Sequence, residues 1–273
     1  MNPLLVAVIV AAAVSAFCWV ASLITKDTSW VDRIWSVVPV VYVWIFAGAA
    51  GLGDPRLVLM AVLVTLWGAR LTFNFARKGG YTGMEDYRWA ILRERMSPAA
   101  FQAFNIGFIV LFQNALLLLI ALPALTALEN PRALGALDIL LAALFLVCLV
   151  GETVADQQQW RFQERKRAEI EAGREPEVRF VQRGLWSVSR HPNFFFEQAQ
   201  WWLVFLMGAA AAGTVLVWTG VGAVLLTALF IGSTIFTESI TRSRYPEYAA
   251  YQARVSAVVP WFPRRARPAT ADA

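Results

Sequence analysis

The stretch LWSVSRHPNFFFEQAQWW, residues 185–202, contains the only histidine of the chain, set between Arg190 and Pro192 where an oily run begins. A cation, an imidazole, an amide (Asn193) and a carboxylate (Glu197) together suit the holding of an anion and the presentation of a proton donor. Asn193 and Glu197 are one helical turn apart, and Glu238 with Arg242 repeats that spacing. Two further groups share the pattern. Arg70, Asn74, Arg77 and Lys78 fall on one face of a helix, as do Glu152, Asp156, Gln159, Trp160 and Gln163.

The elements that must position these groups are apolar. The chain is 58% hydrophobic and 16% charged over 273 residues, with a mean hydropathy of +0.54. Apolar stretches of roughly twenty residues recur, the length that crosses a bilayer. The expected fold is therefore an all-α integral membrane protein of about seven transmembrane helices, near 3–25, 35–53, 55–76, 101–128, 134–155, 193–212 and 214–238. The fifth is expected to run on past the membrane through ADQQQWRFQERKRAEI. Gly213-Thr214 is the proposed turn between the last two, with a single bent helix as the alternative.

Charge sets the orientation. Of the 24 Lys and Arg residues, 21 fall in 26–34, 77–98, 156–190 and the tail after 241; the alternate loops hold only Arg56 and Arg132. The positive-inside rule then places the N-terminus outside and the C-terminus in the cytoplasm. One membrane domain is expected over 1–263, with 264–273 as a disordered tail. The stretch 3–25 lacks a basic n-region and a cleavage site and reads as a retained span. A composition rich in Ala and Arg fits a bacterial inner membrane, and endoplasmic reticulum topology would look the same.

Ionisable groups inside spans are costly and ordinarily face a bundle interior. Four polar groups on one membrane side point to a polar cavity open to the cytoplasm. The structural alternative for any one pair is a salt bridge or an arginine reaching lipid phosphate, the reading accepted for Lys166, Arg167 and Arg264. Basic residues beside the Gly79-Gly80-Tyr81-Thr82-Gly83 loop suggest phosphates, since glycine lets backbone amides approach. GMEDYR after that loop fits a helix start, where Glu85 and Asp86 are also ordinary first-turn residues. Trp160, Trp186, Tyr245, Tyr248 and Tyr251 offer flat surfaces for a purine, with interfacial anchoring equally suited to the tyrosines.

Several classes drop out. The basic residues alternate with spans and form no single arm for nucleic acid. Cys18 and Cys148 have no CxxC partner or adjacent histidine, so neither a disulfide framework nor a metal site is expected. GAAGLG at 48–53 has the wrong order for a dinucleotide fingerprint and follows no strand.

GLWSVSRHPNFFFEQAQWW, preceded by ETVADQQQWRF, LWGARLTFNFARK and EDYRW and followed by Glu238 and YPEYAAYQ, resembles the DUF1295 branch of the steroid 5-alpha-reductase and sterol reductase superfamily, from about residue 32 to 263. A related Arg-His-Pro stretch occurs in isoprenylcysteine carboxyl methyltransferases. The resemblance implies a seven-helix reductase with NADPH in a cytoplasm-facing cavity and a substrate entering from the lipid. It assigns the cofactor to the motifs holding Arg70, Asn74, Arg77, Lys78, Tyr87, Arg88, Asp156, Trp160, Arg161, Arg190, His191, Asn193, Glu238, Arg242, Tyr245 and Tyr248. Arg190 and His191 would meet phosphate or ribose. Asn193 and Glu197 would reach toward the nicotinamide.

Hydride would pass to a carbon–carbon double bond of a steroid-like or other lipid enone or alkene while a donor protonates the neighbouring carbon or steadies the conjugated oxygen. The steroid reductases proper carry a Gln-Glu pair and a tyrosine near the substrate carbonyl. The nearest positions here offer Asp32 and Trp67. Asp32 and Glu197 are the candidate acids, and a loop ion pair with Arg33 or Lys26 is the structural reading of Asp32. The alternatives are an S-adenosylmethionine-dependent methyltransferase of the isoprenylcysteine type, whose cofactor lacks phosphates, and a lipid transporter or scaffold.

Overall fold

The computed structural model of the protein describes residues 1–264. Among these the chain is helical, with one isolated parallel bridge, Ser189 to Ser256. The helices are α1 (Pro3–Thr25), α2 (Trp30–Ile34), α3 (Val38–Ala49), α4 (Pro55–Arg77), α5 (Tyr87–Arg95), α6 (Pro98–Phe104), a π-helix (Asn105–Phe112), α7 (Gln113–Ala121), α8 (Pro123–Glu129), α9 (Ala136–Glu171), α10 (Pro192–Ala212), α11 (Val221–Arg244) and α12 (Tyr248–Arg254). Of the expected tail, residues 265–273 lie outside the described residues, while the Arg264 amide donates to the Arg254 carbonyl.

Among the described residues, five helical stretches are long and apolar enough to cross a membrane: Pro3–Thr25, Pro55–Arg77, Pro98–Glu129, Ala136–Glu171 and Trp218–Arg244. α3 has 12 residues and rises only about 18 Å, short of the roughly 30 Å hydrocarbon layer. α10 is longer, but its first turns carry Asn193, Glu197, Gln198 and Gln200. The ends of α1 and α4 fall where a cap and a proline dictate. Asn2 accepts from the amides of Leu4 and Leu5 ahead of Pro3, and Asp54 accepts from Arg56 and Leu57 ahead of Pro55. α10 and α11 are separate helices, parted at Gly213, whose φ is +73°.

The chain divides into two compact units, Met1–Leu146 with Gln200–Thr227, and Val147–Ala199 with the described part of Ala228–Ala273. In the first, α3 lies against α4, joined by the Ser36 and Thr72 hydroxyls at 2.7 Å. Arg56 holds Asp138 through Nε to Oδ1 at 2.8 Å and Nη2 to Oδ2 at 2.9 Å, and donates to the carbonyls of Arg132 and Ala133.

The π-helix departs from the uniform α-helix expected over 101–128. Asn105 and Asn114 are nine residues apart, which in an α-helix of 3.6 residues per turn would put them on opposite faces. With i→i+5 bonding each turn takes roughly four and a half residues, and both amides meet α1. Asn105 Nδ2 donates to Ser22 Oγ at 3.0 Å, and the Asn114 side chain adjoins Cys18. The same winding stacks Phe104, Phe108 and Phe112, four residues apart, at 5.0 and 5.3 Å between ring centroids.

Candidate functional site

In the second unit the loop before α10 delivers its polar groups onto Glu238 of α11. Arg190 donates from Nε to Glu238 Oε1 at 2.6 Å and from Nη2 to Oε2 at 2.9 Å, and its Nη1 bonds the carbonyls of Gln252 and Val255. His191 Nε2 lies 3.1 Å from Glu238 Oε1, the Tyr248 hydroxyl donates to the same oxygen at 3.2 Å, and Gln252 Nε2 donates to Oε2 at 2.8 Å. The carboxylate is 8% exposed and the arginine 11%. Burial works against the Arg190 charge, yet the paired Glu238 holds its pKa above the ordinary value.

Expectation and geometry differ in emphasis here. Arg190 was expected to face phosphate or ribose, but these bonds tie it to the protein and leave one N–H to spare. Arg190 and Glu238 form the frame on which neighbouring groups are set. His191 stacks on Phe194 at 5.3 Å, and Phe194 on Phe230 at 4.7 Å. Sequence reasoning passed over Gln252, although its place four residues after Tyr248 puts both on one face of α12.

The same unit holds two side-chain amide oxygens buried without a donor among the described residues, Asn193 Oδ1 and Gln159 Oε1. Asp156 is buried at 4% exposure and Glu197 at 8%. Arg242 is exposed, with no acidic partner among the described residues. Trp186, expected as a flat surface for a purine, is 8% exposed and donates its Nε1 to the Ala155 carbonyl at 3.1 Å. Tyr251 donates its hydroxyl to the Trp186 carbonyl. Tyr248 packs edge-on against Phe180 at 4.9 Å, and Tyr245 binds Lys166 Nζ at 3.0 Å. These rings are packing and anchoring residues of the loop that carries Arg190. Arg161 lies roughly 140° around α9 from Asp156, at 100° per residue, so it shares no face with Asp156, Trp160 and Gln163.

The first unit gathers Arg70, Asn74, Arg77, Lys78, Tyr87 and Arg88 along α4 and the start of α5. Asn74 is 6% exposed, and its Oδ1 accepts from Arg77 Nε and Nη2 at 2.9 and 2.7 Å. Tyr87 is 53% exposed. Asp86 caps α5 by accepting from the Arg88 amide, and it also clamps the Arg88 guanidinium at 2.6 Å. Glu85 accepts from the Thr28 amide and hydroxyl and pairs with Arg93. Burial would raise the Glu85 pKa, but these donors outweigh it and hold it below the ordinary value. Asp86 thus does ordinary helix-start work, while Glu85 ties Thr28 to Arg93 of α5.

The glycine loop after α4 was expected to offer amides to phosphate. Its Gly79 amide instead bonds the Ala76 carbonyl, Gly80 bonds Phe75 and Thr82 bonds Gly79. With Gly79 at φ +85°, this closes the C-terminus of α4. Two amides are thereby committed to the helix end and a third to a turn within the loop. Arg33 Nε donates to the Gly80 carbonyl at 3.1 Å, and the Tyr81 hydroxyl donates to the Arg33 carbonyl at 3.0 Å, tying the loop to α2.

Asp32 separates from its bland reading. Arg33 pairs with Asp27, and Asp32 accepts from Trp89 Nε1 at 3.2 Å. Burial, with a lesser push from Asp86, raises the Asp32 pKa against the pull of Arg88 and the Trp89 bond. Trp67 is fully buried against Trp201 at 4.8 Å, with its Nε1 lacking an acceptor among the described residues. No three-residue cluster of His, Cys, Asp or Glu suited to a metal occurs among the described residues.

Residues 18–255 match the family DUF1295, described as protein of unknown function. An uncharacterized protein of Schizosaccharomyces pombe is 38% identical over 275 residues, covering 95% of this chain and 80% of that protein. No solved structure matches. The motifs around Arg190, Glu238 and Tyr248 thus have a family to which they answer: the chain belongs to DUF1295, a part of the steroid 5-alpha-reductase-like superfamily.

Proposed function

We propose that the protein is a membrane-embedded, NADPH-dependent reductase acting on a carbon–carbon double bond of a lipid-like enone or alkene, steroid-like molecules among them. The observation that carries the reading is the pair of buried amide oxygens without donors in the unit that holds the Glu238 network, Asn193 Oδ1 and Gln159 Oε1. An orphaned buried acceptor costs about 1–3 kcal/mol and is relieved by a ligand with N–H groups. The carboxamide and adenine amino groups of NADPH are such donors, and the exposed Arg242 suits its phosphates. Asn193, Gln159 and Arg242 would hold the cofactor on the frame made by Arg190, His191, Glu238, Tyr248 and Gln252. When bound, NADPH supplies the hydride.

Asp32, whose pKa burial raises, would deliver the proton to the carbon next to the one reduced or bond the conjugated oxygen. Glu197, also buried, is the second candidate. We further propose seven spans, counting α3, α10 and the whole of Pro98–Glu129 as one each beside α1, α4, α9 and α11, with the N-terminus outside and the C-terminus in the cytoplasm. The cofactor site would face the cytoplasm. The yeast relative gives no support to a bacterial inner membrane in particular.

The test is thermal unfolding of the detergent-purified chain with saturating NADPH or S-adenosylmethionine. A ligand that binds only the folded state at a hundred times its dissociation constant adds about 2.7 kcal/mol of stability, so NADPH is expected to raise the midpoint by several degrees. Stabilisation by S-adenosylmethionine alone would move the protein to the methyltransferases. No response to either would remove the enzyme reading.

A further inference from the structure

The Asp156 face of α9 has a counterpart on the other side of the helix. There a cavity of about 470 Å3 lies between α9 and the segment 181–184, and three arginines line it: Arg161, Arg165 and Arg183. All three are exposed, and none has an ion-pair partner among the described residues, not even Glu164 on the same wall. Arg165 spends only its Nε, on the Arg161 carbonyl at 3.3 Å.

The groove has a fixed shape. Gln158 Oε1 accepts from the Leu185 amide at 2.9 Å, pinning the segment to α9. Gly184, at φ +66°, lets the two come together, because a Cβ there would meet Gln158 Nε2 at 2.4 Å. Val181 closes the floor at 9% exposure.

Its depth follows from helix geometry. The twenty residues 136–155 rise about 30 Å, roughly the hydrocarbon thickness. Arg161 and Arg165 then lie about 9–15 Å beyond, at and just past the headgroup boundary. Guanidinium groups bind phosphate in bidentate fashion, and basic pockets at this level suit anionic headgroups.

We propose that this groove binds the phosphate headgroup of an anionic phospholipid. The inference rests on the membrane placement of α9 and is independent of the cofactor. It takes Arg161 away from the NADPH set and gives it to the lipid.

The experiment titrates full-length protein in a neutral detergent with short-chain dihexanoylphosphatidylglycerol, dihexanoylphosphatidylcholine or inorganic phosphate, reading the thermal midpoint. Only the phosphatidylglycerol arm is expected to stabilise saturably. Replacing Arg161→Gln and Arg183→Gln together should raise its half-saturating concentration at least tenfold, since bonds to charged groups are the strong ones. NADPH affinity should stay as in the parent. Arg165→Gln, a single exposed change, repeats the test should the double variant not fold. Equal stabilisation by both lipids, the same saturation by inorganic phosphate, or an unchanged phosphatidylglycerol titration in the folded variants would each overturn the proposal. Lost NADPH binding with lipid response intact would overturn it too, returning Arg161 to the cofactor.

Discussion

Arg56 with Asp138 in the first unit and Arg190 with Glu238 in the second make the same two-pronged bond, with both partners nearly shut off from solvent. Their surroundings differ. Around Arg56 and Asp138 the further hydrogen-bond partners are backbone: the carbonyls of Arg132 and Ala133, and the Gly135 amide donating to Asp138 Oδ2. Around Arg190 and Glu238 stand titratable or polar side chains, His191, Tyr248 and Gln252, with Asn193 and its orphaned oxygen two residues on. The first pair ends in the chain and is a staple. The second opens onto groups with capacity to spare, which is what a ligand requires.

The largest expected effect falls on the staple. Asp138→Ala leaves a buried guanidinium unpaired, a loss of about 3–5 kcal/mol. Thermal unfolding of the detergent-purified variant should show it, while NADPH affinity of the surviving folded protein stays unchanged. A staple variant that lost the cofactor with stability intact would erase the contrast. Comparable in size is the chemical step. Asp32→Asn should cut turnover by about 10²- to 10⁴-fold, the usual worth of a general acid, with NADPH affinity kept within a few fold. Because the Asp32 pKa is raised, turnover through this acid should fall as pH rises through that value.

Glu238→Gln keeps the shape but removes the charge under Arg190, His191 and Tyr248. We expect about 2–3 kcal/mol of lost stability, the scale of a charged hydrogen bond, together with weaker NADPH binding. Loss of stability alone would make the second pair another staple. The smallest effect concerns Glu85. Its lowered pKa means that it stabilises the fold above the ordinary carboxylate value, roughly 4.3, and that this is lost as pH falls through the folded value. Glu85→Gln should flatten the thermal midpoint between pH 5 and pH 3, by an amount kept small by the exposure of Arg93.

The sequence makes some of this plain and hides the rest for identifiable reasons. α1 and α4 begin where Asn2-Pro3 and Asp54-Pro55 announce a cap and a first turn. The long run of α9 past its apolar stretch shows in its polar periodicity. The π-helix leaves no such mark, because a continuous apolar run such as NIGFIVLF has no polar face by which to measure a turn. The partners of Arg190 are equally hidden. Glu238, Gln252 and Val255 stand 48, 62 and 65 residues away, and no local pattern tells an arginine that frames a site from one that meets a ligand. The Gly79 loop misleads for a related reason: a glycine at φ +85° serves a helix end as well as it would an anion.

Calorimetric titration of NADPH into the purified chain and into Asn193→Ala tests the central claim most directly. One NADPH per chain is expected, with an affinity about three- to tenfold weaker in the variant, the worth of a neutral hydrogen bond, and an unchanged thermal midpoint. Absence of saturable NADPH binding, or equal affinity in parent and variant, would contradict that claim.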